Sequence, residues 1–222
     1  MPQPRVGAGI INSKGVPGTL GCTAYTLHTG QAVLLSTWHV LFGNDADEER
    51  VVWLINEADD GLGLSGIGNT LYGKIGTVQF AGGNYYLDCA IASYTETPTV
   101  LASQTRTKSP TFINGHGIAQ LGDVVTKIGA ATGVTRGIVA DVNYSDSASP
   151  RDKGQLTPGQ LLLRPLEEDK LFSADGDSGA VVVDAANKVV GLLWGTNVRG
   201  EGVACPIAPV LYAMNITLDP RA

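Results

Sequence analysis

The chain has 222 residues, of which 43% are hydrophobic and 16% are charged, so it can bury a sizeable core and is not a disordered segment. Its formal net charge is -6, and no cluster of lysine or arginine interleaves with aromatic residues, which argues against nucleic acid as a partner. No stretch approaches the ~18 consecutive apolar residues of a membrane-spanning helix.

Short apolar runs between turn residues predict an all-β protein with many short strands. The 29 glycines and 11 prolines are scattered along the chain rather than clustered. The first half contains five predicted strands: 21–27, 31–36, 51–56, 73–80 and 86–94. The second half contains five more: 124–128, 137–143, 160–165, 180–183 and 188–194. Near the end, Ile207, Val210, Leu211 and Met214 have helical spacing and predict one short helix.

Three segments between these strands are predicted to lack regular structure. Residues 44–50, NDADEER, form an acidic loop without the ligand spacing and central glycine of a calcium loop, so we expect it to be solvated. The glycine-rich residues 59–72 predict a long loop or an irregular hairpin. The turn-rich residues 95–117 predict a connection between two subdomains, 1–105 and 106–222.

The three cysteines, Cys22, Cys89 and Cys205, cannot all pair within one chain, and none has metal-ligand spacing. With only three histidines, a structural zinc site is not expected, and nothing predicts another metal or a cofactor. Three buried thiols favour a reducing compartment. Because the N-terminal stretch also lacks the apolar run of a secretion signal, we expect a cytoplasmic protein.

The stretch FSADGDSGAVVVD, residues 172–184, places Ser178 between glycines and in front of a row of valines. A serine hydroxyl becomes a nucleophile only when a base takes its proton, and the developing oxyanion needs hydrogen-bond donors held in place. Gly176 and Gly179 would allow the backbone to present the amides of Gly176 and Ser178 to such an oxyanion. The alternative is a tight turn that leads into a buried strand.

A base for Ser178 would have to be one of the three histidines. His28 lies in a predicted hairpin turn, and His116 lies between glycines in the connecting segment. His39 follows an apolar strand and opens a short helical turn, where a histidine is either a satisfied core residue or a functional one.

Asp88 is the only acidic residue inside a strongly apolar predicted strand, NYYLDCAIASY. Burial of an unpaired carboxylate costs several kcal/mol, so Asp88 needs a partner. His39 would be that partner, with the carboxylate holding the imidazole in one tautomer.

Three short motifs together resemble the catalytic signatures of the trypsin-like serine peptidases. They are Ser-Thr-Trp-His at 36–39, Leu-Asp-Cys-Ala-Ile-Ala at 87–92 and Gly-Asp-Ser-Gly at 176–179, in the order and spacing typical of that family. Residues 124–139 also look like a strand pair near the active site, and residues 191–195 look like the substrate-aligning strand. The resemblance extends over roughly residues 18–214.

The resemblance implies two packed antiparallel six-stranded β-barrels with a short C-terminal helix. It also implies a serine endopeptidase in which Ser178 is the nucleophile, His39 the general base and Asp88 the residue that orients His39. The amides of Gly176 and Ser178 would form the oxyanion hole. His39 and Asp88 would come from the first barrel and Ser178 from the second.

Several positions depart from the secreted animal members of the family. The chain does not begin with Ile-Val-Gly-Gly, so Asp177 would lack the new N-terminal amine that pairs with it after activation. Two usual disulfides are absent, and Leu193 replaces a serine that often precedes Trp-Gly. These features resemble bacterial or intracellular branches without zymogen cleavage.

The resemblance also implies the residues that contact substrate, and it predicts a preference for a small or medium apolar side chain at the cleavage site. Phe172 occupies the position where an aspartate selects Arg or Lys, and no histidine stands near Leu193 as in glutamyl endopeptidases. The expected substrate-binding residues are Phe172, Ser173, Ala174, Leu193, Trp194, Gly195 and Gly202.

Two other functions are consistent with parts of this pattern. A binding or regulatory module would keep the barrels without turnover, although such relatives usually lose a triad residue. An esterase of the α/β-hydrolase type is contradicted by the order His, Asp, Ser. The expected partner is a protein or peptide substrate, with a regulatory protein as a further possibility, and residues 59–72 and 144–159 are the candidate control loops.

Overall fold

A computed structural model describes residues 5–43, 51–58, 61–95, 113–146, 156–167 and 169–219. The described chain is mostly β-strand with two short helices, which confirms the all-β prediction. The strands form one eight-stranded sheet and one closed six-stranded barrel, and all strand pairs are antiparallel. The predicted boundary at 105/106, the acidic loop at 44–50 and most of the connecting segment lie outside the described residues.

The eight-stranded sheet contains the strands of the first half and one short strand from the C-terminal end, in the order β14-β3-β4-β7-β6-β5-β1-β2. Its strands are β1 (Gly9–Asn12), β2 (Pro17–Thr19), β3 (Cys22–Thr26), β4 (Ala32–Ser36), β5 (Val51–Ala58), β6 (Gly61–Phe80), β7 (Gly83–Ser93) and β14 (Ile216–Thr217). The first half therefore has more hydrogen-bonded strands than the six that we expected.

The second half forms the closed barrel, in the order β10-β13-β12-β11-β8-β9. Its strands are β8 (Val124–Gly129), β9 (Gly133–Asp146), β10 (Thr157–Pro165), β11 (Val181–Val183), β12 (Val189–Thr196) and β13 (Gly202–Pro206). Among the described strands of this half, closure leaves no unpaired edge. The prediction of a six-stranded barrel is confirmed here.

Both helices are short. Helix α1 (Trp38–Leu41) follows β4 directly and is the helical turn predicted at His39. Helix α2 (Ile207–Met214) is the predicted C-terminal helix, and Asn215 ends it in the left-handed conformation. Neither helix in the described part of the chain is long and apolar enough to cross a lipid bilayer.

Residues 61–72, predicted as a long loop or an irregular hairpin, form the first part of β6 and have the second of these two forms. They pair with β5 in a hairpin that has a bulge near Trp53, while residues 70–80 continue the strand along β7. The glycines that suggested a loop allow neighbouring backbone to come close: a β-carbon at Gly68 would collide with the carbonyl oxygen of Ser93. Of the other candidate control loop, residues 147–155 lie outside the described residues.

One apolar core joins the two halves. It contains Cys22, Leu35 and Cys89 from the sheet together with Leu192 and Cys205 from the barrel, all completely buried. All three cysteines are free and buried, as expected for small apolar side chains. Packing across this shared core fixes the position of β7 relative to β12, and both strands carry residues of the candidate site.

Candidate active site

His39 and Asp88 form a buried pair. His39 Nδ1 lies 2.6 Å from Asp88 Oδ2, and the backbone N–H of His39 donates to Asp88 Oδ1 at 3.1 Å. His39 is 5% exposed and Asp88 is 3% exposed. Because an ionised carboxylate only accepts hydrogen bonds, Nδ1 must carry the proton in this contact, and Nε2 is left as the acceptor of the neutral ring.

Strand pairing explains why these residues meet although they are 49 positions apart. Strand β4 pairs with β7 so that Ser36 is opposite Ala90, which brings Asp88 alongside the start of α1. The helical turn after β4 then directs the His39 side chain and its backbone amide to the same carboxylate. The sequence-based pairing of these two residues therefore matches their placement.

Ser178 lies in a tight turn before β11 and remains partly exposed. Gly176 and Gly179 both have positive φ, 100° and 99°, a conformation that disfavours residues with a side chain. A β-carbon at Gly179 would also collide with Ser36 and with the backbone of Thr19. The glycines around Ser178 are thus required by backbone conformation and by close approach of the first sheet.

The turn leaves two amides available. Within the described ranges, neither the N–H of Gly176 nor that of Ser178 donates to a protein acceptor. The hydroxyl of Ser178 donates to the carbonyl oxygen of Trp194 at 3.2 Å. The site therefore presents the hydroxyl of a partly exposed serine next to two backbone donors, with a histidine–aspartate pair on the eight-stranded sheet.

Asp177, next to Ser178, is held by a buried lysine that the sequence reasoning missed. Lys127 Nζ lies 2.9 Å from Asp177 Oδ2, and the Oδ1 atom accepts the N–H groups of Ala131 and Thr132 at 2.9 and 3.1 Å. Lys127 lies on the same face of β8 as buried Val125 and Gly129, so its inward position could have been read from the two-residue period of that strand.

These contacts shift the pKa of both groups. Burial lowers the pKa of Lys127, and its contacts with Asp177 oppose that change. For Asp177, burial alone raises the pKa, but hydrogen bonds from Thr132 and Lys127 and the ammonium charge outweigh it, so the pKa lies below its ordinary value. Asp177 is therefore ionised at neutral pH.

The seven expected substrate-binding residues fall into two groups. Phe172, Ser173, Leu193 and Gly202 are buried, whereas Ala174, Trp194 and Gly195 are partly exposed. The Phe172 ring is fully enclosed inside the barrel, where a β-carbon at Gly137 or Gly202 would come within 2.6 Å of it. The Phe172 ring therefore offers no surface to solvent, and its contact with substrate stays a prediction.

Gln160 connects Trp194 to the eight-stranded sheet. The indole N–H of Trp194 donates to Gln160 Oε1 at 2.6 Å, and Gln160 Nε2 donates to the carbonyl oxygens of Tyr86 and Pro158 at 2.9 and 2.8 Å. The rings of Tyr86 and Trp194 are also in contact, with centroids 5.3 Å apart. Gln160 is completely buried, and the sequence reasoning did not identify it.

The remaining histidines lie away from this arrangement. His28 is exposed in the turn between β3 and β4, and His116 is exposed and forms a single bridge with Val189. In the described segments, no group of three or more His, Cys, Asp or Glu side chains is placed to hold a metal ion.

Comparison with solved structures identifies the fold. A glutamic acid specific serine protease is 18% identical, with a TM-score of 0.68 and coverage of 96% of this chain and 99% of that chain. Cellulomonas bogoriensis chymotrypsin is also 18% identical, with a TM-score of 0.64 and coverage of 97% and 98%. Thermobifida fusca protease A is 16% identical, with a TM-score of 0.65 and coverage of 96% of both chains.

This chain has the chymotrypsin fold. The sequence itself matches no protein-family model and no curated protein, so the likeness to the chymotrypsin fold comes from three-dimensional structure. The alignments span almost the whole chain, and the eight-stranded sheet and the closed barrel correspond to the two halves of that fold.

Proposed function

We propose that this chain is a serine endopeptidase in which Ser178, His39 and Asp88 carry the reaction. The observation that carries the proposal is the buried pair of His39 and Asp88, joined by two hydrogen bonds. Asp88 lies in the same sheet as Thr19, whose N–H donates to the carbonyl oxygen of the partly exposed Ser178. A carboxylate that binds both the ring and the backbone of one histidine fixes the position and the tautomer of that histidine. A histidine satisfied only as a core residue would not need an adjoining nucleophile.

The proposed reaction is acyl transfer. Ser178 Oγ attacks the peptide carbonyl carbon while His39 Nε2 takes the hydroxyl proton, and the amides of Gly176 and Ser178 donate to the oxyanion. His39 then gives the proton to the departing amine as the C–N bond breaks. Water then attacks the ester on Ser178 while His39 takes a proton from the water. His39 returns this proton to Ser178 Oγ as the ester bond breaks, which releases the acid and restores the hydroxyl.

Attack requires Ser178 to leave its resting hydrogen bond. Its hydroxyl donates to the Trp194 carbonyl at 3.2 Å, which is a long O–H···O bond. Rotation about χ1 exchanges this weak contact for one with His39 Nε2, and catalytic hydrogen bonds commonly tighten only when substrate is bound.

The preferred side chain at the cleavage site is proposed to be small and apolar. The buried ring of Phe172 packs between Gly137 and Gly202, and Leu193 is only 1% exposed, so little room is left for a large side chain. A solved relative of the fold is described as glutamic acid specific and as using a histidine triad in substrate binding. In this chain only His39 lies at the site, so that mode of acidic recognition is not favoured.

The first experiment is labelling with a fluorophosphonate probe, with Ser178→Ala as the control. We expect covalent labelling of the wild-type chain and none of the variant. A panel of fluorogenic peptides that differ only in the residue before the scissile bond then tests specificity. Fastest cleavage after Ala or Val supports the proposal, and fastest cleavage after Arg, Lys or Glu contradicts the proposed preference.

A binding or regulatory module without turnover is the second candidate. It is favoured by the hydrogen bond of Ser178 to Trp194, because the hydroxyl proton is then used by a carbonyl oxygen and not by His39 Nε2. Labelling with and without cell extract separates the candidates: labelling only with extract indicates an enzyme that needs a partner, and no labelling in either case indicates the module.

A further inference from the structure

We propose that Thr19 is a positioning residue that holds the oxyanion-binding turn from the opposite half of the molecule. The inference rests on the proposed function, because it concerns the amides of Gly176 and Ser178. Thr19 is the last residue of β2 in the eight-stranded sheet, whereas the turn precedes β11 of the closed barrel.

Thr19 contacts both residues that supply the proposed oxyanion donors. Its hydroxyl donates to the carbonyl oxygen of Gly176 at 2.8 Å, and its backbone N–H donates to the carbonyl oxygen of Ser178 at 2.8 Å. Two hydrogen bonds from one residue therefore span the three-residue segment Gly176-Asp177-Ser178. The hydroxyl bond joins residues that are 157 positions apart in the sequence.

The direction of the hydroxyl bond follows from its other neighbour. The backbone N–H of Ala130, in the turn between β8 and β9, donates to Thr19 Oγ1 at 3.0 Å. Because this N–H can only donate, the threonine hydroxyl has its proton free for Gly176. Ser36 Oγ donates to the Thr19 carbonyl oxygen at 2.8 Å, so every polar atom of this fully buried residue is paired.

The placement has a consequence for catalysis because Gly176 is conformationally free. Glycine occupies positive φ at little cost, but it leaves that conformation equally easily, and the N–H of Gly176 would then turn away from the oxyanion. Fixing the carbonyl groups on either side of Asp177 limits this rotation. Preorganised donors stabilise the oxyanion without rearranging during the reaction.

Thr19→Val tests the side-chain contact. The substitution keeps the branched shape, removes the donor to Gly176 and leaves the Ala130 N–H unpaired. We expect kcat to fall about 10- to 100-fold and KM to change less than about 2-fold. The loss in kcat should not exceed the ~10²-fold loss that follows removal of an oxyanion donor itself. Thr19→Ser retains the hydroxyl and is expected to keep kcat within about 3-fold of wild type.

A transition-state analogue separates positioning from a general loss of structure. A peptide aldehyde forms a tetrahedral adduct with an oxyanion, whereas the matching peptide alcohol does not. Thr19→Val should weaken aldehyde inhibition about 10-fold or more and leave alcohol inhibition nearly unchanged. Thr23→Val is the matched control, because its hydroxyl bonds to Tyr94, just after the end of β7, and within the described chain no bond joins it to the turn.

The outcomes distinguish this inference from the proposed function. Absence of wild-type labelling at Ser178, both with and without cell extract, would overturn the proposed function. With the wild type active, wild-type kcat in Thr19→Val, or an equal loss in Thr19→Ser, would overturn the role of Thr19. If valine prevents folding, Thr19→Ala removes the same hydroxyl without adding a methyl group, and its kcat and its ratio of aldehyde to alcohol inhibition decide the matter.

Discussion

Lys127 Nζ lies 2.9 Å from Asp177 Oδ2, and both side chains are completely closed to solvent. The ammonium group also donates to the carbonyl oxygen of Gly133 at 3.2 Å and to the hydroxyl of Thr132, so all its N–H groups are used. Asp177 in turn accepts the N–H of Ala174 at 3.1 Å. A side-chain cation from β8 thus pairs with the aspartate that precedes Ser178.

Lys127→Met is expected to lower the free energy of unfolding by about 3–5 kcal/mol, because it leaves a buried carboxylate without its counter-charge. Urea denaturation measures the change, and Lys188→Met, which alters an exposed lysine, is the control. The double variant Lys127→Met/Asp177→Asn should be more stable than Lys127→Met alone. A loss below about 1 kcal/mol in Lys127→Met would show that the pair contributes little.

The depressed pKa of Asp177 predicts a specific acid sensitivity. Since its folded pKa lies below the ordinary value of 3.8, its ionised form contributes stability that is fully present above that value. The contribution is lost as the pH falls through the folded pKa.

Urea unfolding between about pH 2 and 6 measures this loss. Below about pH 4, Asp177→Asn should show a shallower fall than wild type, by at most about 1.4 kcal/mol per pH unit for one proton. Asp169→Asn removes an exposed carboxylate and controls for the change in net charge. Parallel slopes for wild type and Asp177→Asn would contradict the prediction.

Gln160→Met is expected to remove the hydrogen bonds that link Trp194 to the eight-stranded sheet. The variant loses the acceptor of the Trp194 indole and both donors to the carbonyl oxygens of Tyr86 and Pro158. Each buried polar group left unpaired costs about 1–3 kcal/mol, so stability should fall by at least about 2 kcal/mol.

Tryptophan fluorescence checks the origin of the effect. The emission of Gln160→Met should change relative to wild type, and the change should disappear in a Trp194→Phe background. Gln79→Met, at an exposed position of β6, should alter neither stability nor emission. An emission change that persists without Trp194 would assign the effect to another tryptophan.

The three cysteines are expected to resist thiol reagents while the protein is folded. Each is completely buried, and burial raises the pKa of Cys22 to about 12, so the reactive thiolate is scarce. Cys205 Sγ also donates to the Tyr86 carbonyl oxygen at 3.4 Å. Reaction with a coloured disulfide reagent should be negligible in buffer and should reach three thiols per chain in urea. Rapid reaction in buffer would contradict this.

Local sequence patterns were sufficient for most strands and for the meeting of His39 and Asp88. An apolar strand followed by a helical turn marked His39, and a single carboxylate in an apolar strand marked Asp88. Each pattern is confined to a few consecutive residues, so it could be read without the fold. For residues 61–72 the sequence left a long loop or an irregular hairpin open, because glycine lowers strand propensity. The structure has the hairpin, and the close approach of the Ser93 carbonyl oxygen requires glycine at Gly68.

By itself, the sequence determined the all-β class and the alternation of buried and exposed side chains along the strands. Only the tertiary structure decided how the site is supported. Lys127, Thr19 and Gln160 have partners 50, 157 and 34 positions away, and strand order and barrel closure bring each pair together. A buried polar residue looks like any other polar residue in the sequence, because its partner is specified by long-range packing and not by its neighbours in the chain.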